Sequence, residues 1–420
     1  MYQITEFDPP GPDGSALVTD LNGQGDVGGL SWTSQSGWQP LVWSQGGPGA
    51  VVAAPVGANV NAINNLLDVV GEYGPPAGGG YAPRFGYLSR GGVVTDFAQV
   101  LGTARSGAFD INDSGTVVGA SGPDLPLPGA LQVFRYHAGT GVVDVLGMPP
   151  GSVSAVATAI SRSGLIAGFA ASTDTGQEYG WIFDQAFRKL GSVFRPGAEG
   201  PLLVADVNDS GLVVGAMPIA GLSVGAFSLA TADTSAQPVP IGTLPGYSAS
   251  AALGVNQRGV VVGYCFDGGD ERAFAADAGG LHDLNNALAP AGGWVLNRAT
   301  AINDQGQIAG YGQLAGQQRG FLLTPVRSPA DWQLYEMVSI ILFGVIQDGG
   351  GVVVVPGGPP IPEPPWGWEQ LPPAIRNVLI GAAFSRLSGL LPDQLARGQL
   401  EEAAIGMISR ALGAMRQMSP

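Results

Sequence analysis

One nine-residue pattern recurs seven times in this chain, and a chain built that way has few folds open to it. The pattern, apolar-Asn-x-x-Gly-x-apolar-x-Gly, reads as LNGQGDVGG, INNLLDVVG, INDSGTVVG, ISRSGLIAG, VNDSGLVVG, VNQRGVVVG and INDQGQIAG. Its lead positions are Asn22, Asn64, Asn112, Ser161, Asn208, Asn256 and Asn303, spaced 42, 48, 49, 47, 48 and 47 residues apart. A catalytic loop is needed once, whereas a structural corner is needed in every unit.

Each copy leads into an aromatic segment (PLVW, FGYL, FRYH, GWIF, AFSL, AFAA, GFLL) and then a run such as VVDVLGMPPG, FRKLGSVFRPG or VPIGTLPG. Four short apolar segments in a unit of roughly 40–50 residues fit a propeller blade. The 68 glycines and 33 prolines, beside an apolar share of 45%, suit short strands joined by tight turns. The N-terminal YQITEFDPPG aligns with the fourth segment of a unit, while the last unit stops at GFLLTPV, before its own fourth segment. The expected fold is therefore an all-β, seven-bladed propeller of four-stranded blades over residues 1–327. The N-terminal strand closes it, and a mainly helical, Pro-rich C-terminal extension occupies 328–420.

The Asn turn joins the first two strands of a blade. Asn and Asp bond their own backbone, and the glycine three residues on takes positive φ at little cost. Leu67 stands at that glycine position in the second copy, so that corner is expected to differ in shape. Ser161 replaces Asn in the fourth and makes the local bond more weakly. Asp110, Asn112 and Ser114, and likewise Asp206, Asn208 and Ser210, resemble the opening of a calcium loop. Val118 and Val214 sit where a later acid is expected, and most copies lack the first Asp. The turns thus read as structural, with no metal or cofactor expected.

The repeats resemble HAF repeats, named for a His-Ala-Phe triplet before the aromatic strand. Here the triplet is degenerate: GAF ends at Phe227, RAF at Phe274 and RGF at Phe321. The resemblance covers roughly residues 1–326 and implies a fold far more than a function, since members of that family mostly lack an assigned activity and are often extracellular.

The net charge is −15 with 18 basic residues and no basic cluster, which argues against nucleic acid or an acidic membrane as partner. The longest strongly apolar stretch, near MVSIILFGVI, is too short to span a bilayer. MYQITEFDPPG lacks the basic region and apolar core of a secretion signal, so the chain as written reads as cytoplasmic, or extracellular if a signal has been removed. Cys265 is the single cysteine and reads as buried and inert.

Loops between the second and third strands share a face with the inter-blade loops, and they vary: EYGPPAGGGYAPR, ASGPDLPLPGAL, FAASTDTGQEYG, YCFDGGDER. Variable loops on a rigid scaffold are where binding usually lies. The candidates there are Tyr81, Arg84, Glu178, Arg195, Tyr247, Arg272 and Trp294. In the C-terminal extension SPAD starts a helix, VVVV at 352–355 reads as a strand, and two amphipathic stripes follow a Pro-rich segment. Trp366, Trp368, Leu379 and Met407 are its candidates for docking on a protein partner or for self-association.

No paired histidine metal site, nucleophile elbow or phosphate loop is present; the two histidines, His137 and His282, lie in different repeats. Two function classes follow. The first is a non-enzymatic binding scaffold that reads an unknown ligand or protein on its variable-loop face. The second is an enzyme, a lyase or hydrolase of sugars or peptides, that uses the central funnel. A cluster of His, Asp, Glu or Arg at the channel mouth separates them. The inter-blade loops show no such excess, so the scaffold, not an enzyme, ranks first.

Overall fold

The computed structural model describes residues 2–326, apart from 8–13, 45–46, 75–83, 124–129, 195–201, 220–221, 234–235 and 289–291. Tyr81, Arg195, Trp366, Trp368, Leu379, Met407 and the C-terminal helices and strand expected from the sequence lie outside the described residues. The chain divides into two compact units, Met1–Val326 and Arg327–Pro420, and the described residues lie in the first.

Seven antiparallel four-stranded sheets make it a seven-bladed propeller. Blades one to six each take four strands consecutive in the chain. The seventh takes Trp294–Ile302, Ile308–Leu314 and Gln317–Pro325, and its outer strand is Tyr2–Phe7 from the other end of the chain. That strand pairs along its whole length, from Tyr2 opposite Pro325 to Phe7 opposite Gly320. Closure is latched by Arg319, which donates to the Gly14 carbonyl at 2.7 Å and lies 3.2 Å from the Glu6 carboxylate. Joining first and last strands removes the exposed edge of an open ring.

The second glycine of the repeat and the aromatic segment form one device. A Cβ on Gly119 would sit 1.9 Å from the Gly107 carbonyl oxygen, and one on Gly215 would sit 1.9 Å from that of Leu203. The inner strand approaches too closely for any side chain there. Across the ladder, Tyr87, Phe134, Trp181, Phe227, Phe274 and Phe321 lie opposite Gly71, Gly119, Gly168, Gly215, Gly263 and Gly310. Their rings cover the glycines and are fully buried. The core then forms between blades: Ala159 and Ile182 of blade four pack with Val204, Val213 and Phe227 of blade five.

The Asn corner does more than shape its own turn. Asn112 Oδ1 accepts the N–H groups of Ser114 and Thr116, while its Nδ2 donates to the Ser161 carbonyl of the next blade at 3.2 Å. Equivalent bonds run from Asn22 to Asn64, Asn64 to Asn112, Asn208 to Asn256, Asn256 to Asn303, and Asn303 back to Asn22. The link from blade four to blade five is the exception among these. Ser161 Oγ accepts from the Leu165 N–H, but serine has no amide to donate onward. The corner at Leu67, expected to differ, keeps the common shape. Leu67 adopts φ 59° and its N–H bonds the Asn64 carbonyl at 3.1 Å, as the glycines do elsewhere. The surrounding pairing forces leucine into the left-handed region.

Candidate functional site

The inner strands converge on a central channel, and each described one longer than two residues carries a bulge three residues before the corner. The register skips Thr19, Phe109, Thr158, Ala205, Leu253 and Thr300. A bulge opposes two residues to one and re-aims the side chains around it. Here it turns polar groups into the channel instead of into the core.

The cavity at the corner end of the channel has a volume of about 270 Å³. Asp20, Asp110 and Asp206, from blades one, three and five, line it. Each carboxylate reaches the next blade: Asp20 accepts from the Ile63 N–H at 2.8 Å, Asp110 from Ile160 at 2.7 Å and Asp206 from Val255 at 2.8 Å. The second oxygens of Asp110 and Asp206 accept the N–H groups of Ile111 and Val207. Neutral groups do the same work between other blades. Asn61 donates to the Ala108 carbonyl, Thr158 to Val204 and Thr300 to Val18.

The seven inner strands surround these carboxyls, and loss of hydration disfavours their charged form. Burial pushes Asp20 up to about 7, against the opposing pull of the Ile63 and Leu21 N–H groups. Asp110 is raised well above the ordinary carboxylate range by burial, with repulsion from Asp20 and Asp206 adding to it. Asp206 is raised by burial. Repulsion from Asp206 adds to the rise of Asp20 as well, so the charges of these carboxyls act on one another across the channel. Among the described residues, no group of three or more His, Cys, Asp or Glu is close enough to hold one metal ion.

The residues just after each corner form the rim: Gly23, Asn65, Asp113, Arg162, Asp209, Gln257 and Asp304. Neighbouring blades fix its acids. Asp113 accepts the Asn65 N–H at 3.0 Å, Asp209 that of Ser163 at 2.7 Å, and Asp304 that of Gln257 at 2.9 Å. Arg162, on blade four, bonds Asp304 on blade seven at 2.7 Å and lies 4.0 Å from Asp113 on blade three.

The sequence candidates fall elsewhere. Tyr247 donates to Asp270 at 2.9 Å and accepts from Arg272 at 3.4 Å, so these two candidates are brought together on the variable-loop face. Arg84 is exposed and its charge acts on Glu72, a carboxyl raised chiefly by burial. Glu178 is half-buried at the start of Glu178–Asp184. Trp294 is only 9% exposed and packs edge-on against Phe321, as a core residue. Cys265 is buried.

The channel acids were missed because the sequence reading weighed the inter-blade loops, whereas the acidic cluster lies at the opposite end. Stacking the repeats exposes the signal. Two residues before the corner stand Asp20, Ala62, Asp110, Ala159, Asp206, Gly254 and Ala301. Asp alternates there with small residues.

No family model matches the chain, and no curated protein does. Solved structures do. The β-propeller domain of the Trilobed protease from Pyrococcus furiosus matches with a TM-score of 0.48 and 8% identity, over 74% of this chain and 96% of that one. Apo prolyl oligopeptidase B from Galerina marginata gives 0.47 and 11%, over 71% of this chain and 47% of that one. Uncomplexed acylaminoacyl peptidase from Pyrococcus horikoshii gives 0.44 and 9%, over 73% and 52%. This chain thus spans about half the length of the last two, and the likeness is one of fold. The channel itself corrects the order of the two function classes: the charged cluster whose absence had favoured a non-enzymatic scaffold is present in the channel and at its rim.

Proposed function

We propose that the chain processes peptides through its central funnel, admitting a positively charged peptide end from the corner face. The observation that carries this reading is the set of three aspartates, Asp20, Asp110 and Asp206, that face one cavity from three alternate blades. A cavity of about 270 Å³ suits a side chain or a short chain end, not a folded partner. Its acids and those of the rim attract cations, and low-dielectric walls strengthen that field. Carboxyls are the groups from which hydrolysis can draw a general acid and a general base, and three of them face this cavity.

The test incubates the full chain with an unstructured lysine-rich, C-terminally amidated peptide and with its counterpart acetylated on every lysine and the N-terminus, which is charge-neutral, from pH 5 to pH 8. New termini are read by mass spectrometry and binding by calorimetry. Cleavage of the basic peptide that is lost in Asp110→Asn supports the reading. Binding without cleavage retains the channel as a site and overturns the hydrolytic part. Equal behaviour of the two peptides overturns the whole.

A further inference from the structure

We propose that Arg162 is a bar across the channel mouth, and that a guanidinium or ammonium group of the ligand opens it by taking its place on Asp304 and Asp113. The inference rests on the channel being the working site, and it assigns to that site a basic side chain as what it recognises first.

The geometry is specific. Blades four and seven stand three places apart in the ring, so a side chain of one that bonds the rim of the other must cross the opening. Arg162 does so, 2.7 Å from Asp304 Oδ2, with Nε 4.0 Å from Asp113 on its other side. It also lines the cavity beneath. Of the seven residues that follow the corners, Arg162 alone carries a positive charge. Its two acceptors are held in place without it. Asp304 Oδ1 takes the Gln257 N–H, and Asp113 takes both the backbone N–H and the side-chain amide of Asn65. Removing the arginine therefore leaves two oriented carboxylates in position.

The bar is also easily lifted. Its side chain is 58% exposed and that of Asp304 36%, and pairs of that exposure are held weakly. A ligand cation that displaces it exchanges one ion pair for another, so opening costs little net free energy. The corner that bears the bar is also the one where Ser161 makes no clasp to the next blade. Its backbone bond to Asp209, from the Ser163 N–H, holds it instead.

The test measures binding of acetyl-Gly-Arg-Gly amide and of its Gln counterpart to the full chain by calorimetry. Arg162→Ala removes the bar. Arg258→Ala removes the same charge from another corner of the same face without vacating the mouth. Arg162→Ala is expected to bind the arginine probe about two- to fivefold tighter, the worth of one exposed ion pair. Arg258→Ala is expected to match the wild type, and Arg162→Ala combined with Asp304→Asn to fall back to wild-type affinity or below. If the wild type binds and Arg162→Ala shows no gain over Arg258→Ala, the bar is refuted while the channel stands. If neither the wild type nor Arg162→Ala prefers the arginine probe, the channel reading falls with it.

Discussion

Replacing Asp20 by Asn should flatten the dependence of stability on pH. An acid whose pKa is higher in the folded than in the unfolded chain keeps its proton in the fold after the unfolded chain has lost it. The folded state then binds more protons, and stability falls as pH rises through that interval, which for Asp20 runs from 3.8 to about 7. A fully dry site would contribute about 4 kcal/mol over such an interval, at about 1.4 kcal/mol per pH unit. Asp20 is only half-buried, its carboxyl facing the channel space, and water there screens it, which reduces the expected contribution to about 1–1.5 kcal/mol. For a unit of this size that is about 2–3 °C in Tm. The assay is calorimetric melting of the full chain at pH 4.5, 5.5, 6.5 and 7.5, at constant ionic strength. The net charge of −15 also favours low pH through self-repulsion, so Asp174→Asn, on an exposed turn, serves as the charge-matched control. Wild type and Asp174→Asn should fall in parallel, with Asp20→Asn falling about 2–3 °C less. The amide retains an oxygen for the Ile63 N–H, so the fold is kept. A curve for Asp20→Asn parallel to the control would refute the argument that the channel is dry enough to hold a proton on this carboxyl.

Leu67→Gly should raise stability by about 0.5–1 kcal/mol in denaturant unfolding, because a 45%-exposed leucine at φ 59° gives up left-handed strain and little burial. Gly215→Ala should cost roughly 2–4 kcal/mol, since its Cβ would meet the Leu203 carbonyl at 1.9 Å; Gly139→Ala, with nothing within 4 Å, should be near neutral. Deleting residues 1–7 should lower Tm by more than about 5 °C, because it strips the outer strand from blade seven and removes Phe7, which packs at 5.7 Å from Trp43.

The architecture was legible in the sequence because a repeat imposes itself on every unit. The corner, the glycine and the aromatic recur in order, and local turn chemistry fixes each of them without regard to the rest of the ring. The missing fourth strand of the last unit and the spare one at the N-terminus even revealed how the ring closes. Sequence reasoning reached only half the role of the asparagines. It found the bonds of Asn112 Oδ1 to its own turn, which depend on neighbours in the chain, and not the bond of its Nδ2 to Ser161, which exists only when two blades stand side by side. Leu67 shows the same limit: local preference favours a different corner, and tertiary pairing overrides it.

The site depended on the tertiary structure more than the fold did. Asp20, Asp110 and Asp206 are separated by 90 and 96 residues, and nothing local ties them together. A bulge in each of their three strands turns them inward, and the sevenfold ring brings them to one cavity. Their raised pKa values come from the walls the other blades supply. Arg162 belongs to the same class: its partner Asp304 is 142 residues away, across an opening that no single blade possesses. The sequence by itself determined the unit, its period and its closure, because those rest on short-range backbone geometry. Only the closed ring decided which side chains face each other across the channel, because convergence on an axis is a property of all seven blades at once.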